Sequence, residues 1–483
     1  MHCYAIVMRL PKPVEGAVPV VALGALNLAS QPGAAYRTLD AGLTARCALR
    51  NPSPHSLSEL VLMSFPDTVH AVQHRLRAVF STTPLQQSLF LSERYEANIY
   101  LKREDLTPVR SYKIRGAFTL ISAMLRGAAG ERPEGSNAQF VCASAGNHAQ
   151  GFAYACAHFE TPGTVFMPVT TPQQKIDKTR IFGREFITIK LIGDTFDQAY
   201  AAARQFETDE SATMVPPFDH PQIIEGQATV GAEIIDARIG QIDMLVMPVG
   251  GGGLSAGCSE YFKSESPGTR LICAEPAGAP SLNDNLEAGE RRPLASIDTF
   301  VDGASVALIG QANFDRLSAN ISEPVQLVPE DRLCSTLLEF LNHEGIVLEP
   351  AGALAIDALK NFDPAELRGK TIVCVVSGGN FDFERLPEVK ERSLRYSGLK
   401  KYFVLRLPQR PGALREFLDT LGPDDDIARF EYLKKSSKNF GSILLGIETS
   451  DASNFYFLFE RMLERGFQMK DVTNDEVLAD FII

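Results

Sequence analysis

Met244-Leu245-Val246-Met247-Pro248-Val249-Gly250-Gly251-Gly252-Gly253-Leu254 is an apolar run that passes straight into four glycines. Unbroken hydrophobicity, with no polar alternation, is what a parallel strand needs when both of its faces are covered. Thr371–Val376 repeats the pattern and leads into Ser377-Gly378-Gly379-Asn380. Open α/β sheets place ligands at the carboxyl ends of such strands. Around these two, β-rich runs at Ile99–Lys102, Phe140–Ala143, Thr164–Met167, Phe186–Leu191 and Leu271–Ala274 alternate with helical patterns. The alternation, from Thr83 to about Asn380, predicts βαβ units in largely parallel sheets with helices on both faces. Nearly 300 residues in this stretch leave room for two lobes.

The chain of 483 residues is 45% hydrophobic and 22% charged, ordinary globular material with enough length for two or three domains. Its net charge of -12 argues against nucleic acid or an anionic membrane as a partner, since both demand a basic face. A small molecule is the expected partner. The eight cysteines form no C-x-x-C pair, and several fall in apolar runs, so they read as reduced thiols of a cytoplasmic compartment. Ala17–Leu26, interrupted by Pro19, is too short to span a bilayer. Residues 1–62 are rich in Pro, Ala and Ser and read as a leader, a tail or sequence upstream of a start at Met63.

The pattern changes past an acidic and basic connector, Glu384–Lys401. A strand Tyr402–Leu407, a helix Pro411–Leu421, strands Ile427–Lys434 and Gly441–Glu448, a helix Asp451–Arg465 and a strand Gln468–Val472 give βαββαβ. That is the ferredoxin-like order. This part carries no cluster of catalytic side chains, so binding or assembly is its expected role. The reading divides the chain into 1–62, a catalytic part 63–390 and a second domain 402–483.

Four motifs carry chemistry. Lys113, in Ser111-Tyr112-Lys113-Ile114-Arg115-Gly116-Ala117, sits in the first turn of an apolar-periodic helix. An isolated lysine at a helix start is usually solvated. Here the positive end of the helix dipole, together with desolvation, favours the neutral amine of a Schiff-base lysine. Ser144-Ala145-Gly146-Asn147-His148-Ala149-Gln150-Gly151 joins Phe140–Ala143 to a helix expected near Ala149, and its small residues offer backbone N–H groups to an anion such as a substrate carboxylate. His148 on its own reads as structural rather than as a metal ligand. Gly250 to Leu254 reads as a phosphate cradle, because glycines remove every Cβ that would keep a phosphate from the amides. The same glycines also fit a dinucleotide fingerprint with Glu275 as its ribose acid, and the turn alone does not separate the two. Ser377 supplies a hydroxyl able to meet a ring nitrogen. Glu349-Pro350-Ala351-Gly352-Ala353 opens a further helix, as a helix-start acid or as part of the same crevice.

Together, in this order, the motifs resemble those of the fold-type II pyridoxal-phosphate enzymes, and among them the biosynthetic threonine dehydratases (threonine deaminases), over about residues 75–475. The resemblance implies a two-lobed parallel-sheet α/β fold of the tryptophan synthase β type, followed by a C-terminal ferredoxin-like, ACT-like α+β domain. It implies pyridoxal 5'-phosphate bound covalently to Lys113, with Asn147 on its phenolic oxygen, Gly250, Gly251, Gly252, Gly253 and Leu254 around its phosphate and Ser377 on its ring nitrogen. Ser111, Ser144, Ala145, Gly146, Asn147 and His148 would hold the substrate, L-threonine or L-serine. The freed Lys113 amine would take the α-proton, and the cofactor phosphate would protonate the departing hydroxyl. The family also implies isoleucine as effector of the ACT-like domain and a homotetramer. Racemases of this fold have a serine at the position of Ala145, so racemization is not expected. Ser281 stands where those relatives' second metal carboxylate falls, so no metal is expected. A deaminase of broader serine and threonine specificity and a non-catalytic amino-acid sensor are the alternatives.

Overall fold

A computed structural model describes residues 63–126, 138–433 and 439–475. The expectations for residues 1–62, and Cys3 and Cys47, lie outside them. From Phe65 the chain builds three sheets. The largest has six strands in the order Leu85–Gln87, Asn98–Arg103, Thr371–Val376, Met244–Pro248, Arg270–Pro276, Gln326–Val328, all parallel apart from the first. The two apolar runs that precede the glycine turns are its central strands. Successive residues point to opposite faces of a strand. Met244, Val246, Ile372, Cys374 and Val376 accordingly enter one core, and Leu245, Met247, Val373 and Val375 enter another.

A second sheet, Ile187–Leu191, Gly163–Met167, Phe140–Ala143, Thr213–Met214, is wholly parallel. Its faces are again shared between two cores, with Phe140, Cys142, Val165 and Met167 in one and Val141, Ala143 and Phe166 in the other. Each Val, Phe or Met side chain so withdrawn from water contributes about 1.5–3 kcal/mol. The two sheets make the two lobes of the expected α/β class. Cys142, Cys156, Cys258, Cys273, Cys334 and Cys374 are free and buried.

Within the connector Glu384–Lys401, Leu386–Tyr396 is a helix. Its Glu391 accepts from Lys400 Nζ at 2.6 Å and from the Tyr402 hydroxyl at 2.8 Å, tying it to the first strand of the C-terminal sheet. That sheet is antiparallel, in the order Asp426–Leu433, Phe440–Glu448, Lys400–Pro408, Gln468–Asp471. Helices Ala413–Leu418 and Asn454–Glu464 complete βαββαβ, and Phe403, Leu405, Ile443 and Leu445 pack with Phe417, Phe455 and Leu458. Among the described residues no helix is long and apolar enough to cross a membrane.

Candidate active site

Lys113 is the first residue of the helix Lys113–Arg126. The loop before it is fastened to the end of a central strand of the six-stranded sheet: Ser111 bridges Gly378, Tyr112 N donates to Ser377 O at 3.1 Å, and Gly379 N donates to Arg110 O at 3.0 Å. Arg110 reaches this pairing with φ 58, a left-handed backbone that costs a non-glycine residue energy and that the surrounding bonds hold in place. Lysine motif and Ser377 loop are therefore one backbone unit. Helix Asn147–His158, which begins two residues before the position expected, packs against the same place. A Cβ on Gly151 would stand 2.9 Å from Ile114 N and 3.0 Å from the Lys113 carbonyl carbon, so only glycine permits this approach.

The glycine turn joins through Phe218. Lys113 Nζ donates to Pro217 O at 3.0 Å and lies 5.8 Å from the centre of the Phe218 ring. A Cβ on Gly251 would collide with that same ring, and one on Gly250 would stand 2.8 Å from Ala304 Cα. Gly252 has φ 86 and caps the helix Gly253–Glu265 without a side chain. The first N–H groups of that helix have no intrahelical partners, and beside them Gly251 O is held by Asn313 Nδ2 at 2.6 Å. Leu254 is buried in the second helical position.

Burial lowers the Lys113 pKa to about 8, opposed by the nearby Glu349 carboxylate. Burial and the Lys113 charge hold His148 down at about 3, and its Nε2 lies 2.8 Å from the Val215 carbonyl oxygen, to which the neutral ring donates. His148 thus commits its side chain to the frame and leaves only backbone for a substrate. Ser144 Oγ accepts from Gly146 N at 3.2 Å, which rounds the turn, and Ala145 and Gly146 are half-buried. Ser377 Oγ donates to Ala351 O at 3.2 Å, a long bond whose hydroxyl proton is free to rotate.

Two further features bear on the site. Glu349 is buried beside Asn147, and burial followed by Asp302 raises its pKa to about 7. Behind Lys113 lies a fully buried ion cluster. Arg115 donates to Glu104 Oε2 at 2.7 Å and to Glu233 Oε1 at 2.8 Å, and Lys102 Nζ is 2.5 Å from Glu233 Oε2. Arg115 was legible inside its motif, but its partners lie far away in sequence. Glu275, offered above as a ribose acid, instead accepts from Leu282 N at 2.7 Å and Asn283 N at 2.9 Å, capping a helix start. That removes the acid the dinucleotide reading required.

The site combines a near-neutral amine, a side-chain-free helix start able to cradle phosphate, and a hydroxyl with a rotatable proton. This donor set fits a phosphorylated pyridine aldehyde. Comparison with known proteins agrees. Residues 77–378 match the family model described as pyridoxal-phosphate dependent enzyme, and residues 391–482 match the C-terminal regulatory domain of threonine dehydratase. The L-threonine dehydratase biosynthetic IlvA of Halalkalibacterium halodurans is 47% identical over 84% of this chain and 96% of its own length. That of Bacillus subtilis is 46% identical over 85% and 97%. The solved processed form of threonine deaminase isoform 2 from Solanum lycopersicum is 35% identical, with a TM-score of 0.62 over 68% of this chain and 87% of its own. With Lys113 and the Ser377 loop joined in one backbone unit and the glycine turn reaching it through Phe218, the chain belongs to the pyridoxal-phosphate-dependent enzymes and, within them, to the family of biosynthetic L-threonine dehydratases with a C-terminal regulatory domain.

Proposed function

We propose that this protein deaminates L-threonine to 2-oxobutanoate and ammonia, the first step of isoleucine biosynthesis, with Lys113 carrying pyridoxal phosphate. The observation that carries the reading is the convergence on Lys113 of the Ser377 loop and the Asn147–His158 helix at its backbone and, through the Phe218 ring beside its amine, of the glycine turn. When bound, the cofactor supplies an aldehyde that condenses with amines and a ring that takes up the electron pair left by a departing proton. The chain's residues do the rest. Burial lowers the Lys113 pKa to about 8, which favours the neutral amine, so Nζ can act both as nucleophile and as acceptor of the substrate α-proton. Gly250–Leu254 would offer backbone N–H groups to the cofactor phosphate, and Asn147 and Ser377 would meet its ring oxygen and nitrogen. Ser111 and the turn Ser144–His148 receive the substrate carboxylate. Loss of the β-hydroxyl as water leaves an enamine, which on release takes up one water to give the 2-oxoacid and ammonia.

The C-terminal ferredoxin-like domain is read as the effector domain, with isoleucine as inhibitor, in a homotetramer of the cytoplasm. One assay tests substrate and control together: 2-oxoacid release from threonine and from serine, each with and without isoleucine. Threonine turnover that isoleucine suppresses is the expected result. Absence of turnover with cofactor bound would leave the chain a non-catalytic amino-acid sensor.

A further inference from the structure

Asn147 stands between two partners. Its Nδ2 donates to Glu349 Oε1 at 2.6 Å, and its Oδ1 accepts from Asn380 Nδ2 at 2.8 Å. An asparagine amide has nearly the same shape either way round, so its neighbours decide which end faces which. Asn380 is fixed first. Its Nδ2 also donates to the Val109 carbonyl at 2.8 Å, a group that only accepts, and Lys178 Nζ, which only donates, lies 3.4 Å from its Oδ1. Asn380 must then donate to Asn147 through nitrogen. At the other end an ionised Glu349 only accepts, so the Asn147 nitrogen faces it. The chain is pinned at Asn380 by groups of single polarity and at its other end whenever Glu349 is ionised, and one Asn147 amide proton is left over.

Glu349 is placed for this. It precedes the helix Pro350–Asp357, whose positive end favours a carboxylate. Its backbone N donates to Gly378 O at 3.3 Å, and a Cβ on Gly378 would collide with its Oε1. The glycine of the Ser377 loop thus makes room for this acid. Asp302, Lys175, Lys178, Lys113 and Tyr112 are the titratable groups that feel it, and Lys175 and Asp302 pair at 2.5 Å.

We propose that Glu349 is a positioning residue: its carboxylate orients the Asn147 amide so that Asn147 presents a hydrogen-bond donor, and not an acceptor, to the cofactor ring oxygen. This rests on the proposed placement of Asn147 beside the ring. Glutamine at 349 keeps the shape but removes the charge and can turn its own NH2 toward Asn147, so it opposes the orientation that Asn380 favours instead of reinforcing it.

The test uses full-length holoenzyme and reads the pH midpoint of the visible cofactor band and the cofactor Kd, with kcat alongside. Glu349→Gln should move the midpoint by about one unit and lower kcat about tenfold, the scale of one charge-assisted hydrogen bond. Asn147→Ala should move the midpoint in the same direction, and the double variant no further than Asn147→Ala alone. Glu349→Asp, which restores an acceptor-only group, should recover part of the shift. It also serves as the second variant should Glu349→Gln fold poorly. A wild-type midpoint in Glu349→Gln, or additive shifts in the double variant, overturns the inference while leaving the proposed function intact. An unchanged midpoint in Asn147→Ala overturns it too, by removing Asn147 from the ring.

Discussion

Two residues past Lys113, Arg115 is withdrawn from water together with three other charged side chains, Lys102, Glu104 and Glu233. In the C-terminal sheet domain the ion pairs Arg410–Glu416, Arg429–Glu431 and Lys401–Asp471 lie at the surface. The two regions solve different problems. Buried ions are costly to desolvate and persist only when each finds its partners, so they fix the relative positions of the elements that carry them. Here those elements are the strand Asn98–Arg103, the helix Pro221–Asp236 and the helix that begins at Lys113. Surface pairs impose little geometry.

The largest effect should come from breaking the buried cluster. Arg115→Met leaves Glu104 and Glu233 without their main partner, and stability measured by urea unfolding should fall by about 3–5 kcal/mol. Unchanged stability would mean that the cluster does not hold the lysine helix. Gly251→Ala ranks next. Its methyl group collides with Phe218, and overpacking of about 1–3 kcal/mol should weaken cofactor binding roughly ten- to a hundredfold in an equilibrium titration. Removing residues 402–483 should retain threonine deamination and abolish isoleucine inhibition, a coupling of about 1–3 kcal/mol that a dose-response curve resolves. Full inhibition after truncation would move the effector site into the catalytic lobes. Arg410→Ala, at the fully exposed end of the comparison, should leave the melting temperature where it was.

The same contrast governs what was legible in the sequence. Met244–Pro248 and Thr371–Val376 announce a buried parallel sheet because both faces are covered, and the glycines after them mark the ligand side. The strands Leu85–Gln87, Thr213–Met214 and Gln326–Val328 went unread, since two or three residues carry no periodicity. Leu386–Tyr396 passed for a connector because Val389 is its one buried residue among the charges. Lys113, Gly250–Gly253 and Ser377 stand out in the sequence because the chemistry proposed for them needs particular residue types in contiguous motifs. Phe218, Asn313 and Ala304 act by touching the glycine turn from distant parts of the chain. Glu349 was visible as a helix-start acid, yet only its contact with Asn147 separates that bland role from a part in the site.

The central claim is a covalent bond between pyridoxal phosphate and one nitrogen. Borohydride reduction of the purified holoenzyme, followed by peptide mapping, tests it most directly. The visible band should bleach and the label should be found on the peptide containing Lys113, with neither band nor label in Lys113→Ala. A label on any other lysine, or an undiminished band in Lys113→Ala, would contradict the account.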